Sequence, residues 1–223
     1  MLQLFRNYSP FTVLILIIAG FLMKLQALSS GVAPVPLPDH IIFGQLLAVL
    51  NHIFHGSAFG YTLFAVVLLH IQAIYLNYIT VKHKLFHRNT YLPAFSYLVL
   101  TSIYPPFNYF SEPLLINFFT IAALDLMLTL SQTSQPRKQI FNAGFLLCIP
   151  AMIQFPAVGF ILLLFLALLF LRTFNLGEWT VGGLGYLTPI YFFVAFLFLF
   201  DQLPAIYRLP HFGFAFPKEL NYP

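Results

Sequence analysis

Few side chains in this sequence could carry acid–base or metal chemistry. Asp39 follows a proline-rich stretch and precedes an apolar run. Its carboxylate either caps the backbone amides of a helix that begins at Ile41 or acts as a general base at a membrane surface. His40 stands beside it, and His52 and His55 lie three residues apart on the helix that follows. No carboxylate pattern such as H-E-x-x-H accompanies these imidazoles, so we expect no metal ion.

His70 and Asp125 are ionisable residues inside otherwise apolar segments. Such a group in a membrane-spanning helix needs a partner, because hydrocarbon does not solvate it. Two interpretations of this intramembrane polar pair stay open. In the first, the two side chains fix helix packing by binding each other or by binding Gln72, Asn117 or Thr120. In the second, they form a step in a proton or ion pathway.

The remaining patterns favour no cofactor. The single cysteine, Cys148, excludes an internal disulfide and lies in an apolar run. The basic stretch 82–88 contains no glycine-rich phosphate cradle, so positive-inside anchoring explains it. The basic residues form no stripe with interleaved aromatic residues, and we therefore expect no nucleic acid among the partners.

The composition requires that the elements carrying these residues lie in a membrane. The chain has 223 residues, of which 60% are hydrophobic and 7% charged, with a mean hydropathy of +0.88. An ordinary soluble domain has about 25% charged residues. Ten basic and six acidic side chains are too few to cover the surface of a soluble protein of this size. The sequence excludes a soluble globule and predicts an all-α, polytopic transmembrane helical bundle.

We predict about seven spans and one interfacial helix. They form a single domain over residues 1–200, and an extramembrane tail follows at 201–223. The predicted spans are 11–28, 58–79, 91–104, 113–130, 140–153, 156–172 and 179–200, and the interfacial helix is 41–55. The stretches 91–130 and 140–172 share one plan, namely a short helix, a break with proline and a longer helix, which suggests an internal repeat.

The basic residues predict the orientation. A cytoplasmic N-terminus places most of them on the cytoplasmic side, namely Arg6, Lys82, Lys84, Arg88, Arg137, Lys138 and Arg172. Only Lys24, Arg208 and Lys218 then lie at the outer face. We therefore predict a multi-pass protein whose N-terminus is in the cytoplasm.

Several stretches resemble an uncharacterised family of integral inner-membrane proteins from Bacteroidota. They are MLQLFRNYSP, NYITVKHKLFHRNTYLP, TYLPAFSYLVLTSIYPPF, IFNAGFLLCIPAMIQFPAVGF and LRTFNLGEWTVGGLGYLTPIYF. The resemblance implies a location in the bacterial inner (plasma) membrane and brings no activity with it. It also implies that other members continue with further spans after the DQL position.

The order of segments is similar to the N-terminal module of the GT-C superfamily of membrane glycosyltransferases. The shared order is a span, an outer loop with an acid, an interfacial helix, a span that ends in a basic loop, and broken hairpins. The resemblance implies that Asp39 is the catalytic or metal-binding acid. A transferase of this kind would use Asp39 as the base, with His40 or His52 assisting, and a polyprenyl-phosphate-linked sugar as the substrate. The superfamily commonly has an acidic pair where this chain has Asp39–His40.

Three functions follow as hypotheses, and whether the chain is an enzyme stays open. The first is a non-catalytic accessory or scaffold subunit of a membrane assembly, favoured by the scarcity of ionisable groups in the spans. The second is a GT-C-like transferase that uses Asp39, and the third is a small transporter built on His70 and Asp125. The expected partners are membrane lipids, other membrane protein subunits and, for the second hypothesis, a polyprenyl-phosphate lipid.

Overall fold

The described residues form helices joined by short loops, with no strand. A computed structural model describes residues 9–35, 41–133 and 135–201, and all structural statements below concern these residues. The α-helices are α1 Pro10–Met23, α2 Leu25–Ser30, α3 Ile41–Phe54, α4 Ala58–Lys82, α5 Leu92–Ile103, α6 Glu112–Thr129, α7 Pro136–Ile153, α8 Ile161–Leu171 and α9 Leu176–Leu199. The prediction of an all-α fold is confirmed.

Three of these helices are long and apolar enough to cross a membrane. They are α4 with 25 residues, α6 with 18 and α9 with 24. At 1.5 Å per residue, α4 is about 37 Å long, which exceeds the roughly 30 Å of a hydrocarbon core. The stretches Phe11–Met23, Ile42–Phe54, Leu92–Ile103 and Phe155–Leu171 form shorter apolar helical segments.

The long helices are arranged as two parallel pairs. Gln72 and Lys82 of α4 bond Leu114 and Asp125 of α6, so residue numbers rise together along the two helices. In the second pair, Ile140 of α7 packs near Trp179 of α9, and Cys148 packs with Tyr186. The chain can run in the same direction along both helices of a pair only if a segment between them returns it to the starting end. The shorter helices α5 and α8 provide it, α5 between α4 and α6 and α8 between α7 and α9.

Proline-bearing breaks interrupt both hairpins, as the sequence predicts. Each break is a short 3₁₀ helix, Pro105–Asn108 with proline at both of its first two positions and Phe155–Phe160 with proline at the second. For the second hairpin, however, our prediction of a short helix followed by a longer one is wrong. There α7 has 18 residues and α8 only 11, because α7 begins at Pro136, whose fixed φ suits a first helical turn.

Helix α3, which we predicted to be interfacial, has both a buried and an exposed apolar face. Its buried residues are Phe43, Leu47 and Leu50, which recur at helical spacing and pack beneath the helix against the bundle. Val49 and Ile53 are each 61% exposed. The helix therefore has a second apolar face that does not contact the described bundle.

Helices α7 and α9 approach each other through glycine. A side-chain carbon on Gly144 would lie 2.5 Å from the carbonyl oxygen of Gly182, and one on Gly185 would overlap the backbone of Phe141. Gly183, on another side of α9, has no atom within 4 Å of the same position. Small residues at such a seam let two helix backbones come close, as is common between membrane helices.

Candidate functional site

Lys24 is a fully buried cation between α1 and α2. Its Nζ donates hydrogen bonds to Asn108 Oδ1 at 2.6 Å and to Thr101 Oγ1 at 3.3 Å. No carboxylate of the described residues forms an ion pair with it. From the sequence we expected Lys24 only as one base at the outer face. A lysine in the middle of an apolar run was the signal for its burial, and its contacts fix α1 to the break that follows α5.

A polar network joins α4, α5 and α6 inside the bundle. Tyr97 OH donates to Gln72 Oε1 at 2.5 Å, and Gln72 Nε2 donates to the Leu114 carbonyl at 2.8 Å. Asn117 Nδ2 donates to Tyr97 OH at 2.7 Å and to Gln72 Oε1 at 3.2 Å. We considered Gln72 and Asn117 as partners of His70 or Asp125, whereas the structure shows that they bind each other. The part played by Tyr97 was not expected from the sequence.

Asp125 binds the end of α4 through three side chains. Lys82 Nζ donates to its two carboxylate oxygens at 2.8 and 2.9 Å, and His83 Nε2 lies 2.8 Å from Oδ1. Tyr75 OH donates to Oδ2 at 3.4 Å. Lys82 is therefore part of an interhelical ion pair, in addition to being one of the bases that predicted the orientation.

His70 has contacts of its own and does not bind Asp125. Its Nδ1 bonds the Val66 carbonyl at 2.7 Å, and its ring stacks on Phe21 at 4.7 Å between centroids. Its Nε2 faces Gly20 of α1, where a side chain would overlap it. The two closest partners of Asp125, Lys82 and His83, lie twelve and thirteen residues beyond His70, about 18 Å further along the direction of α4. The longer contact from Tyr75 comes from five residues beyond His70. The mutual contact between His70 and Asp125 that the sequence suggested is therefore absent, because the two lie at different depths.

The residues proposed for transferase chemistry are not assembled by the described part of the chain. Asp39 and His40 lie outside the described residues. His52 lies on α3 and its side chain is exposed. Among the described residues, no group of three or more histidine, cysteine, aspartate or glutamate side chains is placed to hold a metal ion.

A further ion pair joins the end of α8 to the start of α9. Arg172 donates to Glu178 from Nη2 at 3.1 Å and from Nε at 3.4 Å. The Glu178 carboxylate lies in the first turn of α9, where the helix dipole favours an anion. Trp179 stacks on Phe165 beside it at 5.0 Å between centroids.

Three cavities meet along one face of α6. Their volumes are about 370, 240 and 350 Å³, and Asn117 lines all three. We call the surface formed by these three cavities the α6 groove. Lining residues that α6 contributes recur every three or four positions, so they lie on one face of the helix; they include Pro113, Asn117, Thr120, Leu124 and Leu128. None of the three cavities is lined by aspartate, glutamate, lysine, arginine or histidine.

Comparison with known proteins places the chain in a family. The model of a family of unknown function, DUF6427, matches residues 8–219. The chain belongs to DUF6427. This confirms the expected membership in an uncharacterised family. No curated protein and no solved structure matches the chain, so the resemblance to GT-C glycosyltransferases has no support from relatives.

Proposed function

We propose that this member of DUF6427 is a non-catalytic subunit of a membrane assembly. The observation that supports the proposal is the separation of charges from cavities among the described residues. Lys24, Asp125 and Glu178 are buried and bond side chains of other helices or helix ends. The cavities of the α6 groove contain no ionisable side chain except the phenol of Tyr97. Acid–base catalysis or ion transport requires ionisable groups at a cavity, whereas a structural subunit does not.

The proposed topology has about seven crossings with the N-terminus in the cytoplasm of a bacterial inner membrane. The two parallel pairs support it, because each pair requires that α5 or α8 return across the membrane. The ends that this topology puts in the cytoplasm carry Lys82, Arg137 and Arg172. A helix of 11 or 12 residues spans only about 17 Å, so α5 and α8 cross with the help of their 3₁₀ breaks or in a thinned bilayer.

The subunit proposal is tested by the stoichiometry of partners in intact membranes. The full chain with an affinity tag is cross-linked in cells, purified in a mild detergent and quantified by mass spectrometry. A membrane protein recovered at a fixed ratio, with and without cross-linker, is the expected result. A chain that is monomeric in several detergents and forms no cross-link to another membrane protein contradicts the proposal.

Asp39→Asn and His52→Ala separate this proposal from transferase chemistry. Each variant is introduced into a strain that lacks the chromosomal copy, and partner recovery and the phenotype of the strain are both measured. A subunit whose role is structural keeps both properties, because the His52 side chain is exposed and asparagine caps a helix as well as aspartate does. Loss of the phenotype with normal membrane levels and normal partner recovery would instead favour catalysis.

A further inference from the structure

The α6 groove has the length of most of a membrane span. Its lining runs from Pro113 to Leu128, fifteen residues or about 22 Å along the helix. The groove exists because α6 packs against α4 and α7, while the short helices α5 and α8 and their 3₁₀ breaks leave the remaining face uncovered. In a bilayer such a surface is open to lipid.

Two amide groups in the groove have unused hydrogen-bonding capacity. Gln72 donates to the Leu114 carbonyl, so its Oε1 must face Tyr97 and Asn117 and accept from them. Asn117 therefore presents Nδ2 to the network, and its Oδ1 accepts no hydrogen bond from the described residues. The side chain of Gln154, which lines the same 370 Å³ cavity, likewise has no hydrogen-bond partner in the described part of the chain.

Asn117 lies more than one turn inside α6, a helix that is long and apolar enough to cross a membrane. Asn117 is five residues from the start of α6, about 7.5 Å along its axis. Hydrocarbon cannot satisfy an amide at this depth, and an unsatisfied polar group there is unfavourable. A ligand that fits must therefore offer a hydrogen-bond donor to Asn117 Oδ1 and polar atoms to the Gln154 amide.

The charge of the lining decides which kind of headgroup fits. No cationic side chain lines the groove to neutralise a phosphate, and Lys24 is already bonded to Asn108 and Thr101. Beyond Thr120 the 350 Å³ cavity is lined by apolar residues only, among them Leu124, Leu163 and Leu171. One end of the groove suits an uncharged polar group and the other suits a hydrocarbon tail.

We propose that the α6 groove binds a lipid with one long tail and an uncharged headgroup that carries a hydroxyl. The hydroxyl donates to Asn117 Oδ1, the Gln154 amide bonds the remaining headgroup oxygens, and the tail lies along Leu124 and Leu128. This site goes beyond the role as a subunit and does not depend on it. A lipid held there covers the one face of α6 that the described helices leave open.

Three probes with the same acyl chain test the proposal. They are a monoacylglycerol, its phosphate ester and the fatty acid methyl ester, which lacks a hydroxyl. Binding to the purified full chain in nanodiscs is measured by equilibrium retention. We expect the monoacylglycerol to bind at least tenfold more tightly than either other probe, because a lost hydrogen bond or an unpaired charge in an apolar site costs that much.

Variants of the groove and a matched control complete the test. Gln154→Leu should weaken monoacylglycerol binding about tenfold while the protein stays folded, since the amide has no described partner to lose. Leu124→Trp should block the tail. The control Thr188→Val removes a hydroxyl that bonds its own helix at Leu184 on α9, and should change nothing. Preference for the phosphate ester, equal binding to the groove variants and wild type, or a photo-cross-link from Leu124 to another protein overturns the proposal.

Discussion

Replacing Gly185 with alanine should force apart two helices whose backbones are in contact. The added carbon overlaps the carbonyl oxygen of Phe141 and lies 3.0 Å from the carbonyl carbon and Cα of the same residue. All three atoms belong to the backbone of α7, so no side chain can rotate away to make room. Either α9 shifts as a whole or the seam opens along its length.

The magnitude follows from two opposing effects. Inserting a methyl group into a closely packed contact costs about 1–3 kcal/mol. Alanine is favoured over glycine in a helix by up to about 1 kcal/mol, which offsets part of that cost. Gly183→Ala is the matched control, because nothing lies within 4 Å of its added carbon. We expect Gly185→Ala to be about 1–3 kcal/mol less stable than Gly183→Ala.

The assay uses the only tryptophan of the chain. Trp179 lies on α9 and stacks on Phe165 of α8, so its fluorescence reports separation of these helices. The protein in a mild detergent is titrated with dodecyl sulfate, and the free energy of unfolding is obtained from the transition. Equal stability of Gly185→Ala and Gly183→Ala would refute the close backbone contact between α7 and α9.

Two further predictions concern the ion pair of α4 with α6 and the topology. Asp125→Ala removes the acceptor of Lys82 Nζ and should lower the free energy of unfolding by about 2 kcal/mol in the same titration; an unchanged transition would show that the pair does not stabilise the bundle. For topology, Cys148→Ser gives a background without cysteine. A membrane-impermeant maleimide should then label Phe107→Cys in cells with a permeabilised outer membrane, and Phe86→Cys only after lysis; the reverse pattern contradicts a cytoplasmic N-terminus.

The sequence predicted the elements of this fold better than the contacts between them. Proline explains why, because it breaks helices through local geometry, and so the interruptions near Pro105 and Pro156 are visible in the chain itself. The partners of a buried residue depend on how each helix is rotated and how deep it lies. In helices that are apolar all round, as α4 and α6 are, the hydrophobic pattern gives no information about rotation. Contact between His70 and Asp125 was therefore one of several pairings that the sequence left open, although Lys82 and His83, which bind Asp125, lie twelve and thirteen residues beyond His70.

The same uniformity explains why the few buried polar groups matter for this fold. Two apolar helices in lipid lose little when they slide or rotate, since lipid tails replace protein contacts at similar free energy. A polar contact removes that freedom, because any displacement leaves a donor or acceptor in hydrocarbon. Gln72 with Leu114 and Lys82 with Asp125 do this at two depths on α4 and α6.

Two specific contacts at different depths determine both the direction and the register of two packed helices. The Gln72 and Asp125 contacts are therefore sufficient to specify that α4 and α6 are parallel, and the third contact, Asn117 with Tyr97, places the return helix α5 beside them. Glycine at the seam fixes the register of α7 and α9 by shape where they cross, since only one register brings Gly144 opposite Gly182. A chain with so few charged residues specifies its bundle by where it places its polar groups and glycines, and none of the charged residues lines the α6 groove.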